Sequence, residues 1–278
     1  MSITDQVAGK LRAWVGAWPE RPGHDHLLRI LRYLGQWRSL MLSNTYVAHE
    51  GAVIYGGIFR GMTYLDHVTE GALMPRLLGT YESELHPHFT ALVRDGLDVI
   101  VDVGCAEGYY AVGLARMAPD VIVHARDIDP RAQAACAELA RRNGVSDRLR
   151  IGGEFKPEDF QAFAGQRALV LVDAEGAEAD ILDPARGPAL AHMSIVVETH
   201  DVFRPGSEAL IASRFSDTHD IIRVEQQPKT FDMPPWMRKL THLDQLLSVW
   251  EYRLQPTPWL VMRPKTQSTM QSVLRNAL

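Results

Sequence analysis

The chain holds only two cysteines, Cys105 and Cys136. Two thiols cannot build a disulfide framework, and they fall short of the four ligands of a structural zinc site. No apolar run approaches the roughly 20 residues that span a bilayer. The start, MSITDQVAGK, has polar and charged residues where a signal peptide needs an apolar core. Nor is there an excess of positive charge: 29 Lys+Arg stand against 34 Asp+Glu, a formal net charge of -5. A general electrostatic binder of nucleic acid needs a basic surface to displace counterions, so neither nucleic acid nor a membrane is expected as a partner. The expectation is a globular protein of a reducing cytoplasm.

With 278 residues and 46% hydrophobic side chains, the chain suits one large domain plus a small appendage. Residues 1–75 read as a mainly helical N-terminal extension, residues 76–278 as the large domain. In the extension, Leu27, Ile30, Leu31, Leu34, Trp37 and Met41 recur at helical spacing, while Arg29, Arg32 and Arg38 fall off that stripe. This predicts an amphipathic helix over 27–42 with a solvated basic edge, capped by Asp25. A shorter helix is expected over 10–18, and the glycine-rich Gly51–Gly61 reads as a strand or hairpin. The many aromatics of the extension could line an acceptor pocket or form a homodimer contact.

From residue 97 the period changes. Short apolar runs at 98–103, 121–125, 148–151, 168–172, 194–197, 221–224 and 259–262 alternate with helical patterns at 109–117, 131–142, 177–182 and 207–215. That alternation predicts a Rossmann-like α/β fold, a doubly wound and mostly parallel seven-stranded sheet. The proline-bearing stretch 226–236 is expected to be a loop that could cover a ligand.

The densest signal is Val99-Ile100-Val101-Asp102-Val103-Gly104-Cys105-Ala106-Glu107-Gly108-Tyr109-Tyr110. A buried strand ends in a turn of small residues and passes straight into a helix, the place where open α/β sheets bind ligands. Asp127 follows the second strand, where an acidic side chain meets a ribose diol in this architecture.

Asp102-x-Gly104-x-Ala106-x-Gly108 resembles the first motif of class I S-adenosylmethionine-dependent methyltransferases, with alanine at the middle glycine. The segment 124–130 is similar to the second motif, and Asp173 to the acidic fourth one. Asp173-Ala174-Glu175-Gly176-Ala177-Glu178 resembles the D-x-E-G-x-E of FkbM-like methyltransferases, and Glu198-Thr199-His200 their E-x-H. The resemblance implies that Gly104, Cys105, Ala106 and Gly108 line the amino-acid half of the cofactor. It also implies that Asp127 binds the ribose, with Ile128 against the adenine, Glu154 at its edge and Asp173 nearby. Glu82 or Glu84 could pair with the cofactor's α-ammonium. A dinucleotide oxidoreductase shares the fold, but it would leave Asp173-x-Glu175 without a purpose.

Methyl transfer needs an acceptor nucleophile held in line with the sulfonium methyl and, for a hydroxyl, a proton acceptor. The ends of the fourth and fifth strands carry Asp173, Glu175, Glu198, His200 and Asp201. His200 as general base, assisted by Glu198 and Glu175, is the preferred mechanism. A divalent cation such as magnesium, held by Asp173, Glu198 and Asp201 with His200, is the second. The resemblance points to a small-molecule acceptor, O-methylated at a hydroxyl of a sugar or secondary metabolite. Two readings stand beside it: another reaction of the same cofactor, such as intramolecular alkyl transfer, or a non-catalytic cofactor-binding protein.

Overall fold

The apolar runs become the strands of one sheet in the computed structural model, which describes residues 2–69 and 71–265. The chain begins with α1 (Ile3–Gly16), α2 (His24–Glu50), α3 (Leu73–Leu78) and α4 (His86–Arg94). Then follow β1 (Val99–Val103), α5 (Tyr109–Met117), β2 (Ile122–Arg126), α6 (Pro130–Arg142), β3 (Leu149–Gly152) and β4 (Ala168–Val172). The rest comprises α7 (Glu178–Ile181), β5 (Ser194–Glu198), α8 (Ser207–Phe215), β6 (His219–Val224), α9 (His242–Ser248) and β7 (Trp259–Pro264). The seven strands lie in the order β3-β2-β1-β4-β5-β7-β6. Strands β1 to β5 pair in parallel, whereas β7 runs antiparallel to both β5 and β6.

Strands β1, β4 and β5 are buried at every residue, which is why each reads as an unbroken apolar run. Their side chains alternate between two cores. Ile100, Leu169, Leu171 and Val196 face a cluster shared with Leu42, Tyr46, Phe59 and Tyr110. Val101, Val170, Val172 and Val197 face Phe160, Ile211 and Phe215. The first cluster contains residues from the extension, which therefore packs on the sheet through one continuous core.

Two local expectations change. Helix α2 runs well past 27–42 in both directions; Gly23 is its N-cap and Asp25 lies in its first turn, facing the positive end of the dipole. Arg38 is not part of a solvated edge: it donates two parallel hydrogen bonds to Asp244 on α9, at 2.6 and 2.9 Å. Residues 51–61 form no strand. One antiparallel bridge joins Val53 to Thr63, and the Tyr55 amide donates instead to the Leu77 carbonyl at the end of α3, at 2.8 Å. Among the described residues no helix is long and apolar enough to cross a membrane.

Candidate active site

Strand β1 ends at Val103, where its carbonyl accepts from the Asp173 amide across β4 at 2.9 Å. The chain has to turn at once. A Cβ on Gly104 would stand 1.7 Å from the Asp173 carbonyl oxygen, and φ there is +83°, so only glycine fits. This contact locks the glycine turn against the first residue of the D-x-E-G-x-E segment. Cys105 is buried, with its thiol donating to the Ala106 carbonyl at 3.7 Å; the neighbouring Cys136 thiol, then burial, push it well above its usual pKa, so it is a small packing residue and no nucleophile. Gly108 opens α5 in the left-handed region.

Ala106 stands at the middle glycine of the motif the segment resembles, and it adopts φ +45° all the same. Holding an L-residue there costs about 1–2 kcal/mol. Ala106→Gly relieves that strain but adds chain entropy in the unfolded state, so a net stabilisation of about 0.5–1 kcal/mol is expected from urea unfolding midpoints. An unchanged or lower midpoint would mean that the backbone bears no strain at this residue.

Asp127 sits at the lip of the turn. Its Oδ2 accepts from the Ala106 amide at 2.9 Å and its Oδ1 from the Asp129 amide at 2.8 Å. Both oxygens keep a further lone pair for a ligand. Ile128 beside it is 82% exposed, an apolar face without a protein partner over it. Glu154 is exposed and pairs with Lys156 at 3.5 Å. These residues, with Gly104, Asp173 and Ala174, line a cavity of about 490 Å³. Asp102 lies behind the turn, fully enclosed; burial and then the charge of Asp127 raise its carboxyl to about 7. It braces the turn rather than facing the cavity.

A second cavity, of about 810 Å³, opens between α1, α2 and the carboxyl end of the sheet. Gly104, Asp173 and Glu175 line both cavities, so the two meet at the glycine turn. On this side stands His200, buried and stacked on Phe203. Its Nδ1 bonds Glu178 Oε1 at 2.8 Å. Its Nε2 faces Glu175 at 3.6 Å, and Asp173 and Glu198 at 3.8 Å each. Burial works against the imidazolium, but the Glu178 bond and the carboxylates of Glu198, Glu178 and Glu175 outweigh it and lift the pKa above the ordinary 6.5. Asp173 is driven well above the usual carboxylate range by burial and by its neighbours Glu198 and Glu82.

Three expected site residues hold other posts. Glu82 does not line either cavity: it is 0% exposed, bonded through one oxygen to Arg253 and through the other to the Tyr110 hydroxyl. Glu84 is likewise enclosed, paired with Lys229. Asp201 cannot join a cation site, because its carboxylate caps α8, accepting from Ser207 Oγ and the Glu208 amide at 2.8 Å each and from Gly206 at 3.1 Å. Glu198 reaches the larger cavity with one oxygen, while the other accepts from Arg253 and Thr257. His219, tempting by type, lies at the far end of the sheet, with Nε2 on the Met193 carbonyl at 2.9 Å.

Sequence reasoning missed the cation at the centre of this wall. Arg253 binds Glu82, Glu198 and, at 3.1 Å, Glu251; Lys229, from the expected covering loop, joins Glu84 to Glu251. Glu178 was visible in the motif but carried no assigned role. In this chain the last glutamate of one segment orients the histidine of the other.

No family model matches the chain. It is similar to the ribosomal protein L11 methyltransferase of Methylococcus capsulatus, 29% identical over 157 residues, 54% of this chain and 47% of the relative. It is also similar to the enzyme of that name from Acinetobacter baumannii strain AYE, 31% identical over 150 residues, 52% of this chain and 46% of the relative. The chain thus spans about half the length of the curated relatives it matches. Among solved structures, the human methyltransferase 10 domain containing protein aligns with 82% of this chain and 97% of its own, at 9% identity and a TM-score of 0.47. Cofactor-bound Rv0187 from MTB aligns with 64% of this chain and 78% of its own, at 14% identity and a TM-score of 0.42. The names of the sequence relatives correct one expectation: they refer to a ribosomal protein as the acceptor, so the small-molecule acceptor read from the sequence is withdrawn.

Proposed function

We propose that the chain is an S-adenosylmethionine-dependent methyltransferase that modifies a side chain or terminus of a polypeptide. The observation that carries this reading is the meeting of two cavities at Gly104, Asp173 and Glu175. The smaller cavity has elements a nucleoside needs: Asp127 for a diol and the bare face of Ile128 for a base. The larger has room for an acceptor side chain, between the aromatic faces of Tyr33, Trp37 and Phe203. Methyl transfer is an in-line displacement at carbon, so donor and acceptor must approach from opposite sides of one point. A junction between two pockets supplies that geometry. The names of the sequence relatives support the polypeptide acceptor, and the paired D-x-E-G-x-E and E-x-H segments support an FkbM-like ancestry for the site.

In this reading the turn and Asp127 hold the donor, while the wall of α1, α2 and residues 251–257 excludes water from the acceptor. Calorimetric titration with S-adenosylmethionine and its demethylated product tests it directly. Both should bind at one site per chain, and Asp127→Ala should weaken binding by about 1–3 kcal/mol, the scale of a charged hydrogen bond. Failure of the parent protein to bind either nucleoside defeats the proposal; undiminished binding by the variant removes Asp127 from the site.

A further inference from the structure

We propose that His200, Asp173 and Glu175 bind a divalent first-row transition-metal ion, of the manganese type, at the junction of the two cavities. One ligand atom from each lies within 4.8 Å of those of the other two. The set is not a mere collection of acids, because its imidazole is already prepared for coordination. The His200 side chain is 6% exposed and its Nδ1 is anchored on the wholly buried Glu178, which fixes the ring and leaves Nε2 aimed at the two carboxylates. A histidine held by a carboxylate through its other nitrogen is the usual outer support of a metal-bound imidazole.

The spacing argues in the same direction. At 3.6 Å from Glu175 and 3.8 Å from Asp173, Nε2 is too far from either oxygen for a hydrogen bond to join them. The Asp173 Oδ1 atom is buried and has no hydrogen-bond partner among the described residues. Ligand atoms about 2.1 Å from a shared ion lie about 3.0–3.4 Å apart, so the two nitrogen–oxygen distances must shorten by a few tenths of an ångström and the carboxylate oxygens, within 4.8 Å of each other, by up to about 1.4 Å. One nitrogen and two carboxylates suit manganese or zinc better than magnesium, which prefers oxygen alone. The oxygen-rich set foreseen from the sequence, with Glu198 and Asp201 beside Asp173 and His200, is not the one the fold assembles. Glu198 stays outside the set as well, its nearer commitments being Arg253 and Thr257.

Where the ion binds does not depend on the methyl-transfer reading; only its task does, which would be to hold the acceptor's electronegative atom beside the donor. The full chain is titrated with Mn²⁺ and the loss of the free-ion electron paramagnetic resonance signal is followed, without any nucleoside. One ion should bind per chain. His200→Ala and Glu175→Gln should each weaken binding by at least about tenfold, and Glu178→Gln by about 10–100-fold through the outer support. Circular dichroism confirms that the variants are folded; Glu175, half exposed, is the safer substitution. Asp127→Ala should keep the ion and bind the nucleoside more weakly, so the two readings fail separately. Absence of stoichiometric Mn²⁺ binding, or equal binding by the parent, Glu175→Gln and Glu178→Gln, overturns the proposal.

Discussion

Gly104→Ala should abolish measurable S-adenosylmethionine binding and destabilise the fold by about 3 kcal/mol or more. The added Cβ would meet not a flexible side chain but the main-chain oxygen of Asp173, at 1.7 Å. Nothing can rotate out of the way. Either β1 and β4 must separate, which breaks the Val103–Asp173 hydrogen bond, or the turn must abandon φ +83° and misdirect its amides. Urea unfolding reads the first consequence and calorimetry the second. A variant that keeps both the parent's midpoint and its affinity would show that the strand ends are not in fixed contact, and the junction argument would fall with it.

Arg253→Ala is expected to cost about 3–5 kcal/mol, the penalty for leaving buried charge without its partner. Three carboxylates share this guanidinium: Glu82, Glu198 and Glu251. Even with Arg253 in place, burial drives the Glu82 carboxyl up to about 8, with the Arg253 charge opposing and the charges of Glu198 and Glu251 adding to the shift. Removal of the cation therefore forces protonation or collapse. Adding Glu82→Gln to Arg253→Ala should recover part of the loss, because the amide removes one of the buried carboxyl groups left without a cation. Denaturation of the single and double variants measures the recovery. If the double variant is no more stable than Arg253→Ala, the charge balance is not what holds this wall.

The parts of the protein legible in the sequence are those governed by local periodicity. Helix α5 begins and ends where its pattern does, and β4 coincides with its apolar run, because a strand buried on both faces has no polar residue to blur its limits. The glycine turn was legible because its small residues directly follow the apolar run of β1, although the contact that demands Gly104 is with the distant Asp173. The acidic wall was not. Glu82 and Arg253 are 171 positions apart and both lie outside the periodic elements that flag burial. Asp201 shows the opposite failure, since a carboxylate shortly before Ser207 is also a helix-cap signal and the cap prevailed. Arg38 looked solvated because its partner Asp244 comes from a helix that no pattern connected to it.

Helix α1 buries a single residue, Val7, although Ile3, Gln6 and Val7 all border the larger cavity. Its attachment is therefore slight beside that of the strands beneath, and segments with few enclosed contacts open at small free-energy cost. The chamber thus has a rigid base and a detachable roof. On the proposed function, a bulky guest gains entry by displacing those fourteen residues while the sheet beneath stays intact.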